Sequence, residues 1–162
     1  MSFRVAAALA AALCAALLGF GFYLQYAQGL EPCPLCLVQR AFFILVLLVL
    51  LASSIHGRHP LPYGIAAALF AVGGVVTAGR QVWLQHLPKD RVPACGPDLY
   101  FMLENFPLSR LLRDLFRGSG QCAEVDWTFL GLSIADWSLA WFAALAVYAL
   151  WLALRARRGA AA

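Results

Sequence analysis

The residues most able to do chemistry are five cysteines: Cys14, Cys33, Cys36, Cys95 and Cys122. Cys33-Pro34-Leu35-Cys36 is a C-x-x-C, a spacing that serves zinc sites, redox dithiols and plain structural disulfides. Its surroundings narrow the choice. Pro32 and Pro34 hold off a helix, and an apolar run begins at Leu37. Cys36 is therefore expected at or just before a helix N-terminus, where free N–H groups and the macrodipole favour a thiolate. Arg40 follows one helical turn later on the same face. A guanidinium near apolar sequence is costly unless it snorkels to the surface or holds an anion. Beside a C-x-x-C, the anion is the stronger reading.

Cys95 lies in Pro93-Ala94-Cys95-Gly96-Pro97, a sequence that keeps it out of regular structure and within reach of a partner thiol. Cys122 follows Gly118-Ser119-Gly120, which suggests freedom to move. The two are 27 residues apart, unlike a second zinc knuckle, so a four-cysteine metal site is disfavoured. Four cysteines allow three pairings. Local chemistry favours Cys33 with Cys36, which leaves Cys95 with Cys122, while a resting Cys33–Cys122 link stays open. Either a disulfide relay or two inert structural disulfides would use these groups. Cys14 sits mid-way along an apolar run and reads as a packing residue.

The elements that must hold these groups are membrane helices. Hydrophobic residues make up 63% of the 162 and charged residues 12%, against roughly 25% charged in soluble domains. A helix needs about 20 apolar residues to span the hydrocarbon core. Spans are expected near 5–24, 37–55, 63–84 and 137–154, with outer loops at 25–36 and 85–136. The predicted fold is thus an all-α membrane protein, one integral domain over 1–162, built as a four-transmembrane-helix bundle. In the second outer loop, Leu108, Leu111, Leu112 and Leu115 alternate with Arg110, Arg113, Asp114 and Arg117. This predicts a short amphipathic helix ended by Gly118 and lying in the membrane interface, with packing on the four-helix bundle as the alternative.

Charge sets the orientation. Arg4, Arg58, Arg155, Arg157 and Arg158 fall on the side of the termini, and all eight acids fall on the other. A Lys/Arg excess marks the cytoplasmic side. Lys89, Arg91, Arg110, Arg113 and Arg117 sit in the long outer loop, but long loops follow the charge rule less well than short ones, so both termini are expected in the cytoplasm and the four paired cysteines outside. That compartment permits disulfides. The net charge of +4 follows this topology rather than a basic nucleic-acid face. Cleavage of the N-terminal run as a signal peptide is disfavoured by its length. His56 and His59 read as a solvated inner turn.

With these residues in place, the sequence resembles the bacterial disulfide bond formation protein B (DsbB) family over its whole length. The likeness rests on the four spans, Pro32-Cys33-Pro34-Leu35-Cys36 with Arg40, and Cys95 and Cys122 in the second outer loop. It extends to Cys122-Ala123-Glu124, Trp127, Phe129-Leu130-Gly131-Leu132 and the stretch from Gln81 to His86. Gln39 departs from relatives that carry an acid there. The resemblance implies a disulfide oxidoreductase of the inner membrane that reoxidises a periplasmic DsbA-type thiol oxidase and passes the electrons to the quinone pool. Its cofactor would be ubiquinone, or menaquinone without oxygen, with no metal and no nucleic acid. By similarity, the partner attacks Cys95, Cys122 attacks Cys33, and Cys36 donates to quinone beside Arg40, with His86 lining the quinone site. A DsbA-type oxidant stands near −120 mV; an ordinary disulfide near −300 mV would face a gap of about 8 kcal/mol, so a strong acceptor is required.

Three rivals make different demands. A quinone-linked oxidase of the vitamin K epoxide reductase type would place its C-x-x-C late in the bundle, the reverse of the order here. A structural tetraspan with inert disulfides predicts cysteines that resist reductant and alkylation. A transporter usually needs an intramembrane acid, and the expected spans hold none.

Overall fold

A computed structural model describes residues 2–57, 60–93, 101 and 104–160. Four long helices dominate it: α1 (Phe3–Gln28), α2 (Pro34–His56), α3 (Pro60–Gln85) and, at the end of the chain, α5 (Ile134–Ala160). Each holds a stretch long and apolar enough to cross a membrane. Side chains on the outside of the bundle support a lipid solvent. Leu69, Val76 and Val147 are 67%, 64% and 70% exposed, and an apolar exterior on this scale would be a liability in water.

The helices run beyond the apolar windows because their ends are capped. Gly29 and Gly57, at φ 69° and 62°, close α1 and α2 in the left-handed conformation. Arg4 Nε donates to the Ser54 carbonyl at 2.9 Å, which satisfies the C-terminal turn of α2. At the opposite end of the bundle, Ser133 and Asp136 form a capping box that starts α5. The Ser133 N–H donates to Asp136 Oδ2 at 2.9 Å, and the Asp136 N–H donates to Ser133 Oγ at 3.2 Å. Ser133 Oγ also donates to Gln85 Oε1 at 2.8 Å, tying the end of α3 to the start of α5.

Packing is most extensive between α3 and α5, then between α2 and α3 and between α1 and α2, whereas α1 and α5 touch little. The core is apolar and tight. Phe43 of α2 stacks on Phe142 of α5 with ring centroids 3.9 Å apart. Gly74 makes room for this stack, since a Cβ there would sit 2.3 Å from the Phe142 ring.

The connection from α3 to α5 carries the smaller elements. A 3-10 turn at Lys89–Arg91 precedes residues that include Cys95, which lies outside the described residues. The expected amphipathic helix is α4 (Leu108–Arg117), and Gly118 follows it. Its Arg110 and Asp114 pair at 3.8 Å, and Leu108 and Phe116 stay exposed. A second 3-10 turn, Gly120–Ala123, carries Cys122. Thr128–Phe129 and Leu132–Ser133 then form a small antiparallel hairpin, β1 and β2, with Thr128 opposite Ser133. Leu130 and Gly131 both take positive φ, 53° and 80°, as a two-residue type I′ turn requires.

Candidate active site

The amino end of α2 organises three sulfurs. The helix begins at Pro34, one residue after Cys33, because proline is tolerated at the first helical position. The cap is therefore Cys33 rather than Cys36, which corrects the sequence expectation by one turn. Cys33 Sγ accepts the Cys36 N–H at 3.4 Å, and the two sulfurs lie 3.0 Å apart as free thiols. Cys122 is fully buried and packs with Cys33, Leu35 and Leu84. Its N–H donates to the Ser119 carbonyl at 2.9 Å, which fixes the turn.

This placement perturbs the thiols outside the span. Cys122 is lowered from an ordinary value of 9.0 to about 6, first by its hydrogen bond with Cys33 and then by backbone N–H groups of Leu35 and Ser119, against the opposing effect of burial. Cys33 is raised, because it hydrogen-bonds Cys122 and Cys36 as donor and is buried. The free N–H groups at the start of α2 thus serve Cys33 and Cys122. A depressed native pKa adds stability that is complete above the unfolded value and is lost as pH falls through the native one. In the fully reduced protein, the thermal midpoint should rise between pH 6 and pH 9 by a component missing from Cys122→Ala. Parallel pH profiles for the two proteins would contradict the assignment.

Gly118, the first of the glycines before Cys122, has a local steric reason. Gly118 has φ 77° and ψ 153°, a combination essentially confined to glycine. A Cβ there would lie 2.7 Å from Leu84 Cδ1 and 2.9 Å from Leu35 Cδ1. Close approach of the chain calls for glycine at this position, where the turn seats Cys122 against α2.

Beside the sulfurs lies a cavity of about 680 Å³ between α1, α2, α3 and α5, lined by both Cys33 and Cys36. Leu17, Leu18, Leu24 and Phe43 make its apolar wall, and Gln39, Arg40 and Gln81 are its polar groups near the cysteines. Arg40 is held by α1. It donates through Nη2 to the Gly21 carbonyl at 3.0 Å and through Nη1 to Gln25 Oε1, and its guanidinium lies 4.9 Å from the Phe22 ring centroid. Sequence spacing places Arg40 beside Cys36; both line one cavity, and Arg40 hydrogen-bonds across to α1. Aromatic rings close the outer side. Phe20 meets Trp127 edge-on at 5.8 Å, Trp127 stacks with Phe129 at 6.1 Å, and Trp137 Nε1 donates to the Phe129 carbonyl at 3.1 Å.

His86 is not among the residues that line this cavity. It is exposed, and its Nδ1 lies 2.8 Å from the Val82 carbonyl. Gln81 and Gln85, four residues apart, face inward on α3, and His86 is one step further round. Sequence reasoning assigned no role to Gln81, whose amide touches both Cys33 and Cys36. The inward register of α3, with Gln81 and Gln85 one turn apart near a helix end, was the available signal.

A family model described as "Disulfide bond formation protein DsbB" matches residues 3–152. Disulfide bond formation protein B of Azoarcus sp. (strain BH72) is 51% identical over 144 residues, covering 87% of this chain and 86% of that protein. The protein of the same name from Hahella chejuensis (strain KCTC 2396) is 52% identical over 131 residues, 79% of each chain. That from Aromatoleum aromaticum is 48% identical over 151 residues, covering 91% and 90%.

Proposed function

The chain belongs to the disulfide bond formation protein DsbB family, and from that premise we propose the route by which this membrane thiol oxidase moves an electron pair from a partner's dithiol to quinone. A thiolate of a DsbA-type periplasmic partner attacks Cys95 of a Cys95–Cys122 disulfide. A mixed disulfide forms at Cys95, and Cys122 leaves as a thiolate. The partner's second thiol resolves the mixed disulfide, so the partner departs oxidised. Cys122 attacks Cys33 of a Cys33–Cys36 disulfide, forming a Cys33–Cys122 bond, and the electron pair leaves on Cys36. The Cys95 thiolate freed when the partner departs then attacks Cys122, restoring Cys95–Cys122 and releasing Cys33, so that the Cys33/Cys36 dithiol returns to its disulfide by giving up two electrons and two protons. The observation that carries this reading is the packing of Cys122 against Cys33, with Cys36 at the wall of the adjoining cavity. Two inert disulfides in a scaffold would have no use for three sulfurs gathered beside an aromatic cavity.

The residues present fit a quinone. Much of the cavity wall is apolar and aromatic, as a prenylated ring needs; Gln39, Arg40 and Gln81 stand near the cysteines, and Glu31, Glu124 and Asp126 also line it. A bound quinone supplies the acceptor for the electron pair and two protons. Arg40, held on α1 by Gly21 and Gln25, fixes positive charge at that end without occupying the space itself. Gln39 adds an amide to the same wall. Ubiquinone is the proposed acceptor, with menaquinone serving without oxygen. Both termini are assigned to the cytoplasm, the cysteine loops to the periplasm, and α4 to the membrane interface beside them.

The test is quinone reduction by purified protein with a reduced DsbA-type partner and a ubiquinone analogue, followed by quinone absorbance. Sustained turnover with quinone, and only a stoichiometric burst of partner oxidation without it, is expected. Equal partner oxidation with and without quinone would refute the route. Arg40→Met should raise the quinone KM about tenfold, as the loss of a charged contact predicts, and leave the quinone-free burst unchanged. An unaltered KM would return Arg40 to an anchoring role on α1.

A further inference from the structure

Two glutamines are buried where an apolar contact between α2 and α3 would be expected. Gln39 and Gln81 are 3% and 4% exposed. Burying amides is costly unless their hydrogen bonds are made, and a buried pair that is satisfied holds a defined orientation. Gln39 Nε2 donates to Gln81 Oε1 at 2.6 Å. With its oxygen engaged there, Gln81 presents its NH₂ group to the sulfurs: Nε2 lies 3.3 Å from Cys36 Sγ and 3.4 Å from Cys33 Sγ. Gln81 Oε1 is farther from Cys36, at 3.6 Å.

The two N–H bonds of one amide therefore aim at the two atoms between which a disulfide is made and broken. Arg40, the one cation near this end of the cavity among the described residues, is engaged with α1. We propose that Gln81 is a catalytic residue of the relay, donating to the Cys36 sulfur as it leaves, and that Gln39 is a positioning residue that sets the orientation of the Gln81 amide. This rests on the assignment of Cys33–Cys36 as the inner pair. In that step the Cys122 thiolate attacks Cys33 Sγ, the Cys33–Cys122 bond forms, and the Cys33–Cys36 bond breaks. The electron pair departs on Cys36 Sγ, where the Gln81 N–H meets it. A better-stabilised leaving thiolate leaves faster, and a hydrogen bond to an anion is stronger than one to a neutral group. Because an amide has no proton to gain or lose near neutral pH, this donor works without a titration of its own.

Gln39→Met tests the orientation by removing the donor that holds Gln81 Oε1. The Gln81 amide could then turn Oε1, which only accepts, toward the sulfurs. Gln81→Met removes the donor at similar length. Both are made in the full chain, purified in detergent and reduced, and Cys36 alkylation by iodoacetamide at neutral pH is read by peptide mass spectrometry. Each variant should slow Cys36 alkylation about tenfold, the loss expected for one hydrogen bond to an anion. In the coupled assay each should lower kcat about tenfold with the quinone KM within about twofold. Unchanged alkylation in a folded variant would overturn the proposal, as would a defect confined to quinone KM, which would make the pair a quinone contact. Should Gln81→Met fail to fold, Gln39→Met decides. The alkylation readout needs neither partner nor quinone. Absence of quinone turnover in the wild type would therefore count against the relay while the role of Gln81 is still judged.

Discussion

Cys36→Ser should stop quinone reduction, by at least about a thousandfold, yet still oxidise one equivalent of reduced partner. The argument follows from what each sulfur can do. Removing a group that forms the covalent bond typically costs several orders of magnitude in turnover. Cys36 lines the cavity, 3.0 Å from Cys33, and on the proposed route it is the sulfur left when Cys33 is attacked, with Cys95–Cys122 as the outer pair. Serine keeps the size of the side chain, but its oxygen cannot form a disulfide with Cys33. The Cys95–Cys122 pair is untouched and can be spent once. Cys122→Ser should remove the burst as well as the turnover, because no outer disulfide then exists. Stopped-flow partner oxidation and quinone absorbance, recorded together, separate the two. A Cys36→Ser protein that keeps reducing quinone would place the donor sulfur elsewhere, and one with no burst would deny that the outer pair accepts electrons first.

The parts of this molecule legible in its sequence are those set by local chemistry. Four apolar windows announce four helices because lipid leaves the backbone no other way to satisfy itself. Their ends were less legible. The windows 5–24 and 137–154 lie inside helices Phe3–Gln28 and Ile134–Ala160, because hydropathy reports the lipid-facing stretch while caps such as Gly29 and the Ser133–Asp136 box set the helix limits. Cys33, Cys36 and Arg40 could be singled out because their spacing is that of one helix. Cys122 could be named but not placed. Its seat depends on Leu35 and Leu84, far away in the chain. Gln81 was passed over for the same reason, as its partners Cys36 and Gln39 belong to another helix. His86 entered only through the family likeness, and one residue of helical register separates it from the inward face held by Gln85. The hairpin turn at Leu130-Gly131 was hidden because leucine is an unusual residue for positive φ.

Gly118→Ala should lower turnover about a hundredfold without dismantling the bundle. Two independent costs meet at this residue. Its φ of 77° and ψ of 153° are strained for any side chain, at about 1–3 kcal/mol. A methyl group would also press within 2.7 Å of Leu84 Cδ1 and 2.9 Å of Leu35 Cδ1, and overpacking of this kind costs about 1–3 kcal/mol more. The long helices do not pass through this point, so the strain is relieved most easily by lifting the turn that carries Cys122. That movement parts Cys122 from Cys33 and from the amino end of α2, and it takes away the contacts that hold Cys122 at about 6. Cys122 should therefore become accessible to alkylation in the reduced protein, where it is now fully buried, while helicity and detergent monodispersity stay unchanged. Adding Leu84→Ala removes one clash but leaves the backbone strain, so it should recover part of the lost turnover and not all of it. Full recovery would mean the steric clash acts alone. Loss of turnover in proportion to loss of folded protein, with Cys122 no more reactive than before, would mean that Gly118 supports the fold as a whole rather than the seat of this sulfur.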